Sequence, residues 1–382
     1  MTAVVSYVDR LSEVARDDWQ ALVNDDNPFV SYDYLNALEQ TGATGEATGW
    51  SPHHALVHRG DALIGALPLY IKDDSWGEFV FDFAWAEAHH RHGIPYYPKL
   101  VTAVPFTPVS GPRLLGNMDD RPLIDSLLSA LRANAGALNA SSWHLLFATP
   151  ADLDRLRTFD DIIIREDCQY HWHNQDYQSF DDFLAYFRSS RRKKTRRERR
   201  KVRDAGIIVE TQRGADMTDE QWTLFYDLYA STFYLRGRAP YFQPDFFRQI
   251  AASDQLDMHI CFARRDQTVV AASLFFVTAD TLYGRYWGAS EFIDGLHFEL
   301  CYYQGIEYCI EHQIKRFDPG VQGEHKIARG FQATPSWSAH WLRHAPFAQA
   351  IADHVSRETR HVQAYASEVD RHLPFRRDRN TS

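Results

Sequence analysis

Two periods of apolar positions run along this chain. A helical spacing of large apolar residues recurs at 122–138 (Leu123, Ile124, Leu127, Leu128, Leu131), at 219–233 (Trp222, Phe225, Tyr226, Tyr229, Phe233), at 296–312 and at 346–372. Short β-branched and aromatic runs lie between them, and these predict buried strands at 62–72 and 269–277. Further strands are predicted at 4–8, 52–58, 76–83, 142–148, 207–212 and 336–342, and strand-like runs also lie in LYGRYWGAS and IKRFDP. The Pro-rich, aromatic stretch from Trp85 to about Arg113 predicts loop.

The order of elements repeats. NPFVSYDYLNAL (27–38) and APYFQPDFFRQI (239–250) agree in residue type at Pro28/Pro240, Asp33/Asp245 and Leu38/Ile250. Each is followed by a charged turn, a small-then-large apolar strand, and a helix leading into another strand. Three matched segments in one order predict two copies of one α/β (α+β) domain, a separation too long for a solenoid. The predicted division is 1–175, a basic helical connector at 176–205, and 206–382. Length supports it, since 382 residues exceed what one core usually holds.

Charge sharpens the connector. From 188 to 203 there are eleven Arg or Lys against one acid, Glu198. That is +10 in a chain of formal charge −10, so the remainder carries about −20. Phe180, Phe183, Leu184 and Phe187 fall at helical spacing just before it, predicting a helix with an apolar anchor. Arg191, Arg192, Lys193, Lys194, Arg196 and Arg197 are the candidate groups for an anionic partner. RNA, a phosphorylated substrate, an anionic lipid surface and the protein's own acidic bulk all fit the charge. The longest apolar runs are about half of the ~20 residues a membrane-spanning helix needs, and the first residues lack a signal-peptide pattern. A cytoplasmic location is expected. Four scattered cysteines, without CxxC spacing, predict neither a disulfide framework nor a zinc site. EAHHRHG and YHWHN complete no metal-ligand spacing, so no metal is expected.

The densest chemistry lies in a strand–helix–strand stretch from Tyr283 to Phe331. His297 and Glu299 fall in the first turn of a predicted helix, where free N–H groups receive oxyanions. VQGEHKIARGF then packs Glu324, His325, Lys326 and Arg329 into six positions after two glycines. If this loop makes a helical turn, Lys326 and Arg329 share a face and can clamp a phosphate or a developing oxyanion.

With those residues in view, RYWG (285–288), LHFELCYY (296–303) and QGEHKIARGF (322–331), with SWGEFVFDFAW (75–85) and YYPKL (96–100) in the first half, resemble the FemAB-like branch of the GNAT-type N-acyltransferases, the peptidoglycan biosynthesis/recognition proteins. The resemblance spans nearly the whole chain. It implies two tandem GNAT-like domains and transfer of an acyl or aminoacyl group to an amine. No tightly bound cofactor is implied, only aminoacyl-tRNA or acyl-CoA as co-substrate. Fem-type enzymes carry a Lys after Phe or Tyr following the last strand; Lys326 matches that position, with His325 before it. The acyl-CoA loop of ordinary GNAT enzymes has no counterpart in SEFIDGLH (290–297), which holds one glycine, Gly295. This favours tRNA or another activated acyl donor over acetyl-CoA, and the basic run, in the place of the inter-domain helical segment of Fem ligases, favours RNA.

The demands of such a transfer, an unprotonated amine, a polarised carbonyl and a proton route, then suggest roles as a hypothesis. Lys326, with Arg329, would hold the oxyanion or phosphate, and His297 or Glu299 would take the amine proton. Arg285, Tyr286, Trp287, Tyr303, Glu324 and His325 would line the cleft. Glu78, Asp82, Tyr97 and Lys99 would bind the acceptor, a cell-wall precursor or other small molecule, with tRNA as a candidate partner. The alternative is a non-catalytic protein of this fold that holds RNA or an anionic cell-wall precursor through its basic helix.

Overall fold

The computed structural model describes residues 3–321 and 323–376. Gln322 of the QGEHKIARGF motif and all but the first residue of the terminal RRDRNTS lie outside the described residues. The chain forms two compact units, one of residues 1–167 and 335–363, the other of 168–334 and 364–382. The linear division at 175 and 205 therefore does not describe them. Residues 335–363 return to the first unit, because strand Gln332–Leu342 pairs through 337–342 with Ser142–Ala148. The basic helix belongs to the second unit.

In the first unit, Val4–Val8, His54–Arg59, Ala62–Leu67 and Leu115–Gly116 form an antiparallel sheet in that order. Trp50–Pro52, Leu69–Lys72, Lys99–Thr102 and Ser142–Ala148 form a second run, whose last pair is parallel. The predicted strand at 62–72 is two strands, because Pro68 has no N–H to give a ladder. Helix Arg121–Ala137 lays Leu123, Ile124, Leu127, Leu128 and Leu131 onto a core with Trp143, Leu145 and Leu100. The strand expected at 76–83 is absent. Phe81 and Phe83 are exposed, so their alternation marks no buried face, and Phe79 turns the chain with φ 59°. The next residues, expected to be loop, make helix Phe83–Arg91, which buries Trp85 and His89 one turn apart.

The second unit repeats the plan. Ile207–Arg213, Asp257–Arg265, Thr268–Val277 and Thr281–Ala289 are antiparallel neighbours. A helix at 296–311, with a π segment over Glu299–Tyr303, then leads to Arg316–Asp318, which pairs in parallel with Thr281–Tyr283. A helix between parallel strands is the connection such pairing requires. That parallel ladder is three residues long and ends at Tyr283 and Asp318. Beyond it the two strands part, and the gap between them is where the cavity described below opens.

Helix Asp219–Tyr234 closes the other side of Thr281–Ala289 at very short range. A Cβ on Gly288 would stand 1.8 Å from the Leu228 carbonyl oxygen, so no larger residue fits without moving the helix. Thr232 Oγ1 donates to the Trp287 carbonyl at 2.9 Å across the same contact. Gly288→Ala is expected to destabilise the protein by about 1–3 kcal/mol through overpacking, read as a lower unfolding midpoint in urea. An unchanged midpoint would refute the close approach.

Candidate active site

A cavity of about 520 Å³ opens where the parallel pair splits. Its walls are Gly284, Arg285, Tyr286 and Trp287 of the parted strand, and Tyr229, Thr232, Phe233 and Arg236 at the end of helix Asp219–Tyr234. His297, Cys301 and Tyr302 come from one face of the 296–311 helix, and Pro319, Val321, Gly323, His325 and Lys326 from the loop after Asp318.

Lys326 is the most committed group here. It is 1 % exposed, and its Nζ donates to the Gly320 carbonyl at 2.5 Å. Gly320 has φ +84°, which aims that carbonyl, and its own N–H donates to Asp318 Oδ1 at 2.8 Å. Burial pushes the Lys326 ammonium down to about 8, against the pull of Asp318 and with the help of Arg285. His297 is pushed down to about 4 by burial and by the neighbouring His325, Arg329 and Lys326. His325 is lowered by burial and by the cations Arg329 and Lys326. Both rings are neutral at neutral pH. His325 Nε2 meets the Tyr302 hydroxyl at 2.8 Å, and the His297 ring stands edge-on to Trp287 with centroids 5.1 Å apart.

Six of the residues singled out from sequence thus meet in one cavity: Arg285, Tyr286, Trp287, His297, His325 and Lys326. Four others do not line it. Glu299 is buried on the far side of its helix, held by Arg199 through Nε and Nη2 at 3.1 and 2.8 Å and by Gln304 at 2.8 Å, so it is no proton acceptor for the cavity. Arg329 does not share a cavity face with Lys326; its Nη2 pairs with Glu198 at 2.9 Å and its guanidinium stacks on Phe298. Tyr303 donates to Glu198 at 2.5 Å. Glu324 is exposed and accepts from the Tyr365 hydroxyl. Sequence reasoning missed Arg236, Tyr302 and the aromatic wall of Tyr229 and Phe233. The stretch YLRGR marked Arg236 by its charge, but only the docking at Gly288 brings it here.

The basic helix runs from Ser189 to Asp204. Its two central charges dock it: Arg199 binds Glu299 and Glu307, and Glu198 binds Arg329 and Tyr303. Arg196 pairs with Asp181, and Lys201 with Asp294. Among the described residues, Arg191, Arg192, Lys193, Lys194, Arg197, Arg200 and Arg203 have no carboxylate partner.

In the first unit, Lys99 Nζ gathers Glu78 at 2.9 Å, Asp82 at 2.5 Å and the Ser75 hydroxyl at 2.9 Å, and Ser75 also meets the Tyr97 hydroxyl. Glu78, Asp82 and Lys99 are each 3 % exposed or less. Burial lifts Glu78 to about 7 against the pull of Lys99. For Asp82 burial works upward too, but Lys99 and His144 prevail and hold it down at about 2. Of the four predicted acceptor-binding residues, Glu78, Asp82 and Lys99 form a closed internal ion cluster, and the half-buried Tyr97 reaches it through Ser75. Lys99→Met is expected to cost about 3–5 kcal/mol, since it strands buried carboxylates; denaturant unfolding measures this, and a loss below about 1 kcal/mol would refute the buried cluster.

The arrangement is that of tandem GNAT-like proteins, a sheet in each unit whose parallel pair is bridged by a helix, with a cavity at the split in the second unit. A family model described as FemAB-like, peptidoglycan biosynthesis/recognition, matches residues 10–377, and the chain belongs to that family. Among solved structures it is similar to FemX (13% identity, TM-score 0.53, covering 92% of this chain and 100% of that one). It is also similar to a conserved protein of unknown function from Bacteroides thetaiotaomicron (12%, 0.51, 89% and 100%) and to L-PGS from Bacillus licheniformis (10%, 0.50, 83% and 94%). At these identities the likeness concerns the fold. No curated protein matches the chain in sequence. No helix among the described residues is long and apolar enough to cross a membrane.

Proposed function

We infer that this protein transfers an acyl or aminoacyl group from an activated ester to an amine, in the chemistry of cell-wall peptide precursors, and that the reaction takes place in the second unit's cavity. The observation that carries this is Lys326: a buried ammonium, oriented by the Gly320 carbonyl, at the wall of a cavity where a carbonyl oxygen would gain charge. The neutral amine attacks the ester carbonyl carbon, and Lys326 donates to the oxyanion as the C–N bond forms. His297, neutral and beside the same space, takes the amine proton. As the ester C–O bond breaks, His297 gives that same proton to the leaving hydroxyl and ends neutral, as it began.

Two features favour an RNA-borne donor over acyl-CoA. Among the described residues, seven cations of the basic helix have no carboxylate partner, as a phosphate backbone requires. The start of the 296–311 helix, where a diphosphate would sit, is covered: a Cβ on Gly295 would lie 3.3 Å from the Glu198 carbonyl oxygen of that basic helix. The cell-wall acceptor rests on the family.

Lys326→Ala is expected to lower transfer from bulk aminoacyl-tRNA by about 10²–10³-fold, the effect of losing one oxyanion donor, with the circular dichroism spectrum unchanged. Because the lowered pKa belongs to a cation that acts in its protonated form, activity should fall as pH rises through about 8. Lys326→Arg should remove that falling limb. Full turnover by Lys326→Ala would overturn the assignment, and tRNA retention without any acyl product would leave a binding protein.

A triple charge reversal on the basic helix (Lys193→Glu, Lys194→Glu, Arg197→Glu) tests the donor. It should weaken tRNA binding and reduce the slope of log affinity against log salt by about 2–3, close to one unit per phosphate contact. An unchanged slope would remove RNA from the proposal.

A further inference from the structure

The cavity has a charge pattern that transfer chemistry alone does not demand. Three cationic side chains reach its wall from three elements: Arg285 from the parted strand, Arg236 from the end of helix Asp219–Tyr234, and Lys326 from the loop. Among the described residues that line it there is no Asp or Glu. Three carboxylates near it have partners of their own. Glu299 is bound by Arg199, Glu324 accepts from Tyr365, and Asp318 lies behind Lys326, against the Gly320 N–H and 3.7 Å from His171. Gly320 also joins two of the cations: its carbonyl holds Lys326, while a Cβ on it would be 3.4 Å from Arg285 Nη1. A ligand seated there therefore meets Arg285 and Lys326 on either side of one residue.

One cation answers the needs of a developing oxyanion. Two more, beside aromatic walls and without a carboxylate on the cavity wall, favour a second negative charge on the ligand and disfavour a positive one. In the reading above, donor phosphates lie along the basic helix, which leaves the cavity to the acyl end. We propose that the acyl group accepted by this cavity carries its own carboxylate, which Arg285 and Arg236 bind while the reacting carbonyl lies at Lys326. Acyl groups with a cationic side chain are excluded. The identity of the ligand as an acyl group rests on the transfer reading, but the preference for a carboxylate is a binding property and is measurable without turnover.

The test uses the full chain and three esters that share one acyl stem and differ in the terminal group: monomethyl succinate (anionic), methyl butyrate (neutral) and methyl 4-aminobutyrate (cationic). Affinities are measured by saturation-transfer NMR titration at about 150 mM salt, where distant surface charges are screened. Monomethyl succinate is expected to bind about tenfold or more tightly than methyl butyrate, with the amino ester weakest. Arg285→Gln should abolish that preference. Arg236→Gln changes an exposed side chain at little risk to folding, and it should reduce the preference by several-fold. Equal binding of the three esters, or a preference that survives both substitutions, overturns the proposal. So does methyl phosphate binding more tightly than monomethyl succinate, which would assign the cations to the donor's phosphate. Selective ester binding in a protein that transfers nothing would instead refute the transfer reading and leave the carboxylate site standing.

Discussion

Two adjacent residues of opposite charge, Glu198 and Arg199, hold the second unit's working parts in place. The basic helix they belong to has five like-charged i,i+4 pairs against two of opposite sign and would be a poor helix alone. It persists because Glu198 reaches Arg329 and Tyr303 while Arg199 reaches Glu299 and Glu307, both side chains largely withdrawn from water. Breaking one partner of such a set costs about 3–5 kcal/mol, because the other stays buried and charged. Arg329 ends the turn that carries Lys326, and Glu299 begins the π segment that carries Cys301 and Tyr302. One clamp therefore sets both the loop and the helix that face the cavity.

The cavity follows from how the sheet ends. A parallel ladder of three residues anchors the strands and then lets them diverge, so Arg285 and Trp287 stand on a strand edge with no neighbour on that side of the gap. A longer ladder would fill the space with backbone hydrogen bonds. Helix Asp219–Tyr234 fixes the opposite wall through the contact at Gly288, and this rigid frame lets a single lysine carbon chain cross buried ground to reach Gly320. Lys326 itself stands on a loop, in the turn Glu324–Arg329, which the Arg329–Glu198 pair ties down.

Much of this was legible beforehand, for definite reasons. Helices at 122–138, 219–233 and 346–372 and the long apolar strands announce themselves by period, since each has one face to bury. The duplicated order was visible because each unit needs the same helix between parallel strands. Crowding of His297, His325 and Lys326 pointed to a site. Partnership was not legible: Arg199 and Glu299 lie 100 residues apart, and nothing local distinguishes a carboxylate that faces a cavity from one that neutralises a distant arginine. Arg329 and Tyr303 were misjudged for the same reason. The error at 76–83 was of another kind. Its aromatics alternate as a strand's would, yet what turns inward there is Glu78 and Asp82 toward Lys99.

These misjudged residues explain the cavity's charge. The 296–311 helix sorts its groups by face, with Glu299 and Glu307 toward Arg199 and His297, Cys301 and Tyr302 toward the cavity. The basic helix thus has two roles on two sides. Its buried side takes up Glu299 and Glu307, and among the described residues no carboxylate lines the cavity while the helix's other side carries cations that no carboxylate pairs. A cavity lined by cations is costly to keep, since Lys326 is fully buried and the neighbouring charges repel. Burial has already shifted Lys326 downward by weakening its hold on a proton. That pattern supports the proposed reading, in which negative charge enters this space, whether formed transiently at a carbonyl or brought in by the ligand.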